Sequence, residues 1–198
     1  MLCLVWAPFA DAEQLAALAA VALVIVVYTA FRLAVAFGKV PWRTIPTGTF
    51  RVRRIRQQHH LTSRSWLEFV AEGQTHWVPV YFDPGLIPLP ESSTDCDTPL
   101  TLNAIPIHPS GRARHAEPPG RLHDNPTRPD PEAPAHAAAV AHIPHRLLLD
   151  AQSAIAAPFI ALFWVYVAGG GITAFIAATT VAAAAAIWLA AINGSDPS

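Results

Sequence analysis

From Gln152 to Ile192 the chain contains no Asp, Glu, Lys, Arg or His. A helix of ~20 apolar residues crosses a bilayer core, so this run is long enough for two crossings. A single helix of that length would measure roughly 60 Å, about twice the hydrocarbon thickness. Gly169, Gly170 and Gly171 lie near its middle, where glycine accepts the positive φ values that chain reversal needs. The run predicts a hairpin of two transmembrane helices, 147–168 and 172–192, joined by a glycine tip.

Residues 15–37 predict a further transmembrane helix, because Tyr28, Thr29 and Arg32 alone interrupt an apolar run. The competing interpretation is a cleaved signal peptide, which begins with a basic region and has an apolar core of ~7–15 residues. Residues 1–14 instead contain two acidic side chains and no Lys or Arg. We therefore expect an anchor that remains in the protein.

The positive charges predict the orientation of these helices. All 13 Lys and Arg lie between Arg32 and Arg146, and such residues near the ends of spans mark the cytoplasmic side. We expect a multi-pass protein of the cell inner (plasma) membrane. Residues 1–14 and the glycine tip would face outside, whereas residues 38–150 and the C-terminal tail 193–198 would be cytoplasmic.

The region between the first two helices, residues 38–107, predicts a small all-β domain. Its alternating, β-branched or aromatic stretches are GTFRVRRIRQ, RSWLEFVA and QTHWVPVYF. Residues 72–74 fit a tight hairpin turn, and Leu100–Ile107 fit a further strand. Four or five short antiparallel strands in this length are typical of a barrel or sandwich.

Residues 108–146 differ in composition, because they hold eight prolines and six of the nine histidines. Such a segment buries too little apolar surface to offset its ordering entropy, so we expect an extended Pro/His-rich linker, pinned in places to the sheet. His142 and His145, and the pair His59-His60, invite a metal-site interpretation. Structural zinc takes four protein ligands, and no further Cys or His at matching spacing completes a set, so no metal is expected.

No sequence pattern indicates catalysis. Gly-x-Ser-x-Gly, P-loop and dinucleotide-binding motifs are absent, and no carboxylate pair has a recognisable catalytic spacing. We therefore expect a protein that is not an enzyme, with no cofactor and no small-molecule substrate. The net charge of −1, and arginines without interleaved aromatics, argue against nucleic acid as a partner. Cys3 and Cys96 would lie on opposite sides of the membrane, so no disulfide is expected.

Two groups of residues are candidates for binding. The first is a stripe of small residues that lets helix backbones approach closely, together with the glycine tip: Ala174, Ala178, Ala182, Ala186, Gly169, Gly170 and Gly171. The stripe either packs this chain's own helices together or docks the helices of a partner. The second group would attract anionic lipid headgroups at the inner leaflet, or serve orientation alone: Arg51, Arg53, Arg54 and Arg56.

Three segments together resemble a known group of proteins: VPVYFDPGLIPL, PSGRARHAEPPGRLHDNP and the Gly-Gly-Gly helix pair that ends in GSDPS. They resemble small actinobacterial three-span membrane proteins, the LucB-like accessory subunits of the mycobacterial Mce (mammalian cell entry) lipid importer. The resemblance implies association with a permease that moves fatty or mycolic acids, and it carries over no catalytic residues.

Two functions therefore stand as hypotheses. The first is an accessory or assembly subunit of a larger envelope complex, with membrane lipids and permease-type integral membrane subunits as partners. The second is a self-contained, membrane-anchored binding module whose β domain binds anionic lipid headgroups or a cytoplasmic protein. Co-purification of a stoichiometric permease from native membranes would favour the first.

Overall fold

A computed structural model describes residues 12–40, 48–59, 62–71, 73–96, 101–102, 105–125 and 130–198. Its helices are α1 (Ala12–Ala36), α2 (Ala133–Val140), α3 (Ile143–Asp150), α4 (Ala157–Ala168) and α5 (Gly171–Ile192). Its strands are β1 (Gly48–His59), β2 (Thr62–Ala71), β3 (Gln74–Val80), β4 (Ser92–Cys96), β5 (Thr101–Leu102), β6 (Ile105–Pro106) and β7 (Arg121–Asp124). The prediction for residues 1–11, including Cys3, lies outside the described residues.

Three helical stretches are long and apolar enough to cross a membrane: Ala19–Ala36, Ile143–Val167 and Gly171–Ile192. The second is composite, because a 3-10 turn at Ala151–Ala156 connects α3 to α4. Pro158 follows in the first turn of α4, where its missing N–H costs no helix hydrogen bond. The prediction of three apolar helices is confirmed.

The chain reverses at the three glycines, as predicted. Gly169, Gly170 and Gly171 have φ values of 76°, 97° and 65°, a region that other residues rarely adopt. The Gly169 N–H closes α4 by donating to the Val165 carbonyl at 2.9 Å. Gly170 then forms the N-cap of α5. The two apolar helices are therefore joined by a tight turn.

The strands form an antiparallel sheet in the order β3-β2-β1-β4. The long β1 pairs with β2 along one edge, and its other edge is shared by β4, opposite Gly48–Val52, and β7, opposite Ile55–Gln58. β5 and β6 pair with each other. Within the described residues the outer strands β3 and β4 do not pair, so the predicted barrel is not closed.

Both faces of this sheet are covered. Side chains alternate along a strand, so one face carries Val52, Leu67 and Phe69 in a cluster that Leu86 and Ile107 complete. On the opposite face, a smaller cluster consists of Ile55, Trp66 and Trp77, with Leu122 of β7 packed against it.

The segment predicted as an extended linker is folded onto the sheet over much of its described length. Arg114 exchanges backbone hydrogen bonds with Trp77, and Ser110 donates to the Pro79 carbonyl, so the open edge of β3 is partly occupied. β7 occupies the edge of β1, and α2 buries Ala137 and Val140 against Phe82 and Ile87. The expected boundary at residue 107 therefore does not end the folded region. Pairing with open strand edges satisfies the backbone N–H and C=O groups of this segment although it has few large apolar side chains.

The sheet is joined to the ends of α1 and α5 by polar contacts. Arg32 near the end of α1 donates to the carbonyls of Ser110 (2.5 Å) and Ile192 (2.9 Å). The Tyr81 hydroxyl also donates to the Ile192 carbonyl, at 2.8 Å. One turn earlier, the Trp188 indole N–H donates to the Thr29 hydroxyl at 3.2 Å. These contacts hold the two helix ends against one part of the sheet.

Candidate functional site

Residues 193–198, the tail segment, fold back onto the sheet. β3 ends at Val80, opposite Ser65, so the first residues of β2 have an edge that β3 does not cover. The Asp196 N–H donates to the Ser63 carbonyl at 2.9 Å, and Ser195 forms a β-bridge with Arg64. Unpaired strand edges are templates for a further segment of chain. The tail segment thus continues the position of β3 beside β2.

A buried polar network, which we call the clamp, fixes the tail segment to β1. It consists of Arg54, Ser65, Asn125, Asp196 and Ser198. The Arg54 guanidinium donates to the Asp196 carboxylate (2.6 Å) and to the Ser198 hydroxyl (2.7 Å). It also donates to the Asn125 side-chain oxygen (3.0 Å) and to the Ser65 hydroxyl (3.2 Å).

The partners of Arg54 are themselves held in place. The Asp196 carboxylate accepts further hydrogen bonds from the Ser65 hydroxyl (2.5 Å) and from the Ser198 hydroxyl (2.6 Å) and N–H (2.9 Å). The Asn125 side-chain amide donates to the carbonyls of Leu86, Ile87 and Leu89. The clamp therefore links β1, β2, the loop after β3 and the tail segment.

The central ion pair of the clamp is almost fully buried. The side chains of Arg54 and Asp196 are 4% and 0% exposed, and buried charges are tolerated only when they are paired and hydrogen-bonded. Burial would raise the pKa of the Asp196 carboxyl, but the Arg54 charge and the hydrogen bonds from Ser198 and Ser65 outweigh it. The net result is a pKa below its ordinary value of 3.8. Asp196 is therefore ionised at neutral pH.

The structure divides the four arginines predicted to bind headgroups. Arg51 is paired with Glu91 at 3.1 Å, and Arg53 with Glu68 and Asp124. The hydrogen bond to Glu68 raises the pKa of Arg53. Arg54 belongs to the clamp and is not available to lipid. Arg56 donates to the Ser63 hydroxyl at 2.9 Å, and no described carboxylate lies within ion-pair distance of it.

A cavity of about 570 Å³, which we call the junction cavity, lies beside the clamp. Its walls come from the adjoining ends of β1 and β2, the turn between α3 and α4, the last turns of α5 and the tail segment. Arg56, Arg64, Ser63 and Asp150 are among its polar lining residues. Leu149, Ala186, Leu189 and Ala190 supply apolar surface. Small-molecule sites have volumes of ~300–1,000 Å³, so the size suits a ligand.

Arg64 adds positive charge to this region. No carboxylate of the described residues lies within ion-pair distance of Arg64. Burial, followed by the neighbouring charges of Arg32 and Arg114, lowers the pKa of Arg64. Side-chain alternation places Arg64 and Arg56 on opposite faces of the two-strand unit, because Arg56 is aligned with Ser65 and Arg64 with Gln57.

The predicted small-residue stripe has mixed surroundings. Ala174, Ala178, Ala182 and Ala186 are all half-buried, whereas the glycine tip is exposed. In α4, which packs along α5, Ala157 and Ala161 are buried (2% and 0% exposed). The other faces of α4 are open, with Phe159, Phe163 and Tyr166 exposed by 70%, 71% and 88%.

The described histidines do not form a metal-binding cluster. His142 and His145 are exposed, and the described residues contain no group of three or more His, Cys, Asp or Glu that could hold a metal ion. The rings of His76 and His115 lie 4.7 Å apart. Burial and the nearby His115 lower the pKa of His76. His60 lies outside the described residues.

Sequence reasoning missed the clamp, although β1 contained a signal for it. Arg54 shares the parity of Phe50 and Val52, which are buried on the same face of the sheet. An arginine on a core-facing parity needs a buried acidic partner. Nothing local in the sequence identifies that partner as Asp196, because 142 positions separate the two residues.

Comparison with protein-family models, with curated proteins and with solved structures found no match to this chain.

Proposed function

We propose that this protein is a non-enzymatic, integral membrane accessory or assembly subunit of a larger envelope complex. The observation that carries the proposal is the exposed aromatic face of α4. α5 contacts α1 through Trp188 and Thr29 and packs along α4, but the outer face of α4 is left open. That face presents a row of aromatic side chains: Phe159, Phe163 and Tyr166.

The contacts between helices and sheet add to this proposal. Arg32, Tyr81 and the clamp join the helix ends to the sheet by buried or half-buried hydrogen bonds. A partner that binds the outer face of α4 would therefore also fix the position of the sheet at the membrane surface. This arrangement suits a subunit that holds other components in place, and helix association in lipid is driven by close packing of this kind.

The partner class we propose is a permease-type integral membrane subunit. The resemblance of three sequence segments to accessory subunits of the Mce lipid importer makes an importer of fatty or mycolic acids the first complex to test. The distribution of Lys and Arg favours an inner-membrane protein whose sheet region and tail segment are cytoplasmic.

Site-specific photocrosslinking in native membranes tests the partner. A benzophenone analogue of phenylalanine replaces Phe163 on the outer face of α4, and Val24 on α1, exposed by 67%, is the matched position. We expect one reproducible protein adduct from position 163, identified as a permease-type subunit by mass spectrometry, and lipid adducts from position 24. Lipid adducts alone at both positions would overturn the proposal.

Cysteine labelling tests the orientation. Glu117 is exposed on the sheet region, and a Cβ added at Gly169 in the glycine tip meets no atom within 4 Å. In intact spheroplasts, and in a chain that carries Cys3→Ser and Cys96→Ser, a membrane-impermeant maleimide should label a cysteine at position 169 and leave one at position 117 unlabelled. The reverse pattern would place the sheet region outside the cell and refute the orientation.

A second candidate function is the membrane-anchored binding module. Three of the four arginines predicted to bind headgroups are paired with carboxylates, which weakens that function along β1. The junction cavity favours it instead, because the cavity combines unpaired positive charge with apolar surface.

A further inference from the structure

The junction cavity joins two chemically different walls. The ends of β1 and β2 contribute Arg56, Ser63 and Thr62, which offer a guanidinium and two hydroxyl groups. The helical wall contributes Ala186, Leu189 and Ala190 from one side of α5. A ligand that contacts both walls favourably needs an anionic group that accepts hydrogen bonds and an apolar chain.

The charge within the cavity is positive on balance. Arg56 and Arg64 line it without a carboxylate partner among the described residues. Asp196 also lines it, but its charge is neutralised by Arg54. Asp150 is the remaining acidic lining residue, so two arginines and one carboxylate without a partner line the cavity. A phosphate would restore the balance, and charge-assisted hydrogen bonds from arginine to phosphate are among the strongest available.

The cavity lies at the depth of lipid headgroups if the helices are embedded in a bilayer. α5 has 22 residues, which corresponds to about 33 Å of helix, close to the ~30 Å of a hydrocarbon core. Gly171 begins α5 at one boundary, so Ala186 to Asn193 lie at the opposite one, beside the sheet. A lipid entering sideways would place its headgroup against Arg56 and its chain along α5.

We infer that the junction cavity binds one anionic phospholipid, with its phosphate on Arg56 and Ser63 and an acyl chain along Ala186, Leu189 and Ala190. Arg64 attracts the phosphate electrostatically without contacting it. Its guanidinium belongs to the opposite sheet face, near Arg32 and Arg114. Asp150 opposes the binding of a purely anionic headgroup. The inference rests on membrane insertion of the helices but not on the existence of a protein partner.

The test uses the detergent-solubilised full chain. Native mass spectrometry counts bound phosphatidylglycerol, with phosphatidylcholine and inorganic phosphate as the comparison probes, and titration gives each dissociation constant. We expect one phosphatidylglycerol per chain and weaker binding of phosphatidylcholine. Equal binding of the two lipids would overturn the inference. Inorganic phosphate binding as tightly as the lipid would also overturn it, because the acyl chain would then contribute nothing.

Four variants locate the site. Arg56→Gln should weaken phosphatidylglycerol binding about tenfold or more, the effect of losing hydrogen bonds from a charged donor. Arg64→Gln should weaken it about twofold to fivefold through the lost field. Arg112→Gln, an exposed arginine outside the cavity lining, is the charge-matched control and should change it less than twofold. If Arg112→Gln weakened binding as much as Arg56→Gln, the attraction would be nonspecific and the inference wrong.

Asp150→Asn should change phosphatidylglycerol affinity in the opposite direction from the arginine variants. Removing the opposing carboxylate should tighten phosphatidylglycerol binding about twofold to fivefold, a gain that partial unfolding cannot imitate. Weaker or unchanged binding would refute the placement of the phosphate. Because these measurements use purified protein and lipid, they stay separate from the crosslinking result. Failure of either experiment leaves the other proposal standing.

Discussion

Arg54 and Arg56 lie two positions apart on the same face of β1, yet they have different surroundings. Arg54 is buried in the clamp, where its side chain donates hydrogen bonds to four partners, among them Asp196 and Asn125. Arg56 has one hydroxyl partner, Ser63, and opens onto the junction cavity. The two sites share a wall, because Asp196 belongs to both.

This difference separates structural charge from charge that is available for binding. A buried guanidinium that already has its carboxylate cannot accept a ligand without breaking the fold. A half-buried guanidinium without a carboxylate can exchange water for a phosphate at little structural cost. Sequence cannot distinguish the two positions, because both are arginines of equal parity in one strand. Substitutions in the clamp should therefore change the free energy of unfolding, whereas substitutions in the cavity should change ligand binding.

The largest effect is expected from Asp196→Ala. This change leaves Arg54 buried without its carboxylate, which typically costs about 3–5 kcal/mol. Urea unfolding of the detergent-solubilised chain, followed by the fluorescence of the buried Trp66 and Trp77, measures the loss. The double variant Arg54→Met with Asp196→Leu removes both charges and should recover most of it. Equal stability of Asp196→Ala and the wild type would show that the clamp contributes nothing.

The second-largest effect is expected from acid, which should weaken the ion pair of the clamp. The pKa of Asp196 is lower in the folded state than its ordinary value of 3.8, so the unfolded chain takes up this proton first as the pH falls. The stabilisation by the ion pair is therefore fully present above pH 3.8 and is lost as the pH falls through the lower, folded-state pKa. We expect a loss of about 1.5–3 kcal/mol, typical of a hydrogen bond to a charged group. The Arg54→Met, Asp196→Leu variant should lack this component.

A smaller effect is expected from Gly194→Ala at the start of the fold-back. Gly194 has φ 78°, and an added Cβ would lie 2.9 Å from both Cβ and Oγ of Ser110. Gly73 in the β2–β3 turn has the same φ of 78° but meets no atom within 4 Å. Both substitutions carry the backbone penalty, so their difference isolates the contact. We expect Gly194→Ala to cost about 1–2 kcal/mol more, as overpacking does; thermal unfolding of both variants measures it.

The smallest effect on stability is expected from Arg56→Gln. Its one side-chain hydrogen bond is to the half-buried Ser63, so the free energy of unfolding without lipid should change by no more than about 0.5 kcal/mol. Urea unfolding in lipid-free detergent measures it beside Arg54→Gln. A loss as large as that of Arg54→Gln would erase the distinction between the two sites.

The sequence predicted the parts of the fold that repeat a local pattern. The apolar runs, the three glycines and the alternation in β1 to β3 each extend over neighbouring residues, so periodicity was sufficient. β7 was missed because four residues in a proline-rich segment, Arg121–Asp124, carry no alternation of apolar side chains. They pair with β1 because β4 covers only the first part of that edge.

The candidate site was harder to predict from the sequence than the fold, and the reason is different. The arginines of β1 were identified as a group. Apart from Glu68 on the adjacent strand, their carboxylate partners come from three distant segments: Glu91, Asp124 and Asp196. Whether an arginine is neutralised therefore depends on tertiary pairing that no local spacing encodes. Arg64 was not singled out, because its importance comes from lining the cavity without an acidic neighbour.

If the apolar helices are inserted in a bilayer, the fold-back of the tail segment makes completion of the sheet depend on their correct insertion. Asp196 reaches Arg54 only if residues 193–198 return to the side of the membrane that holds β1. Between the sheet and the tail segment lie two apolar helices, so both must cross, or neither. A chain in which one of them failed to insert would leave a buried arginine without its partner and β2 with an open edge. Such a chain would expose the features that proteases and chaperones recognise in unfinished proteins, so quality control in the aqueous region could detect an error made in the bilayer.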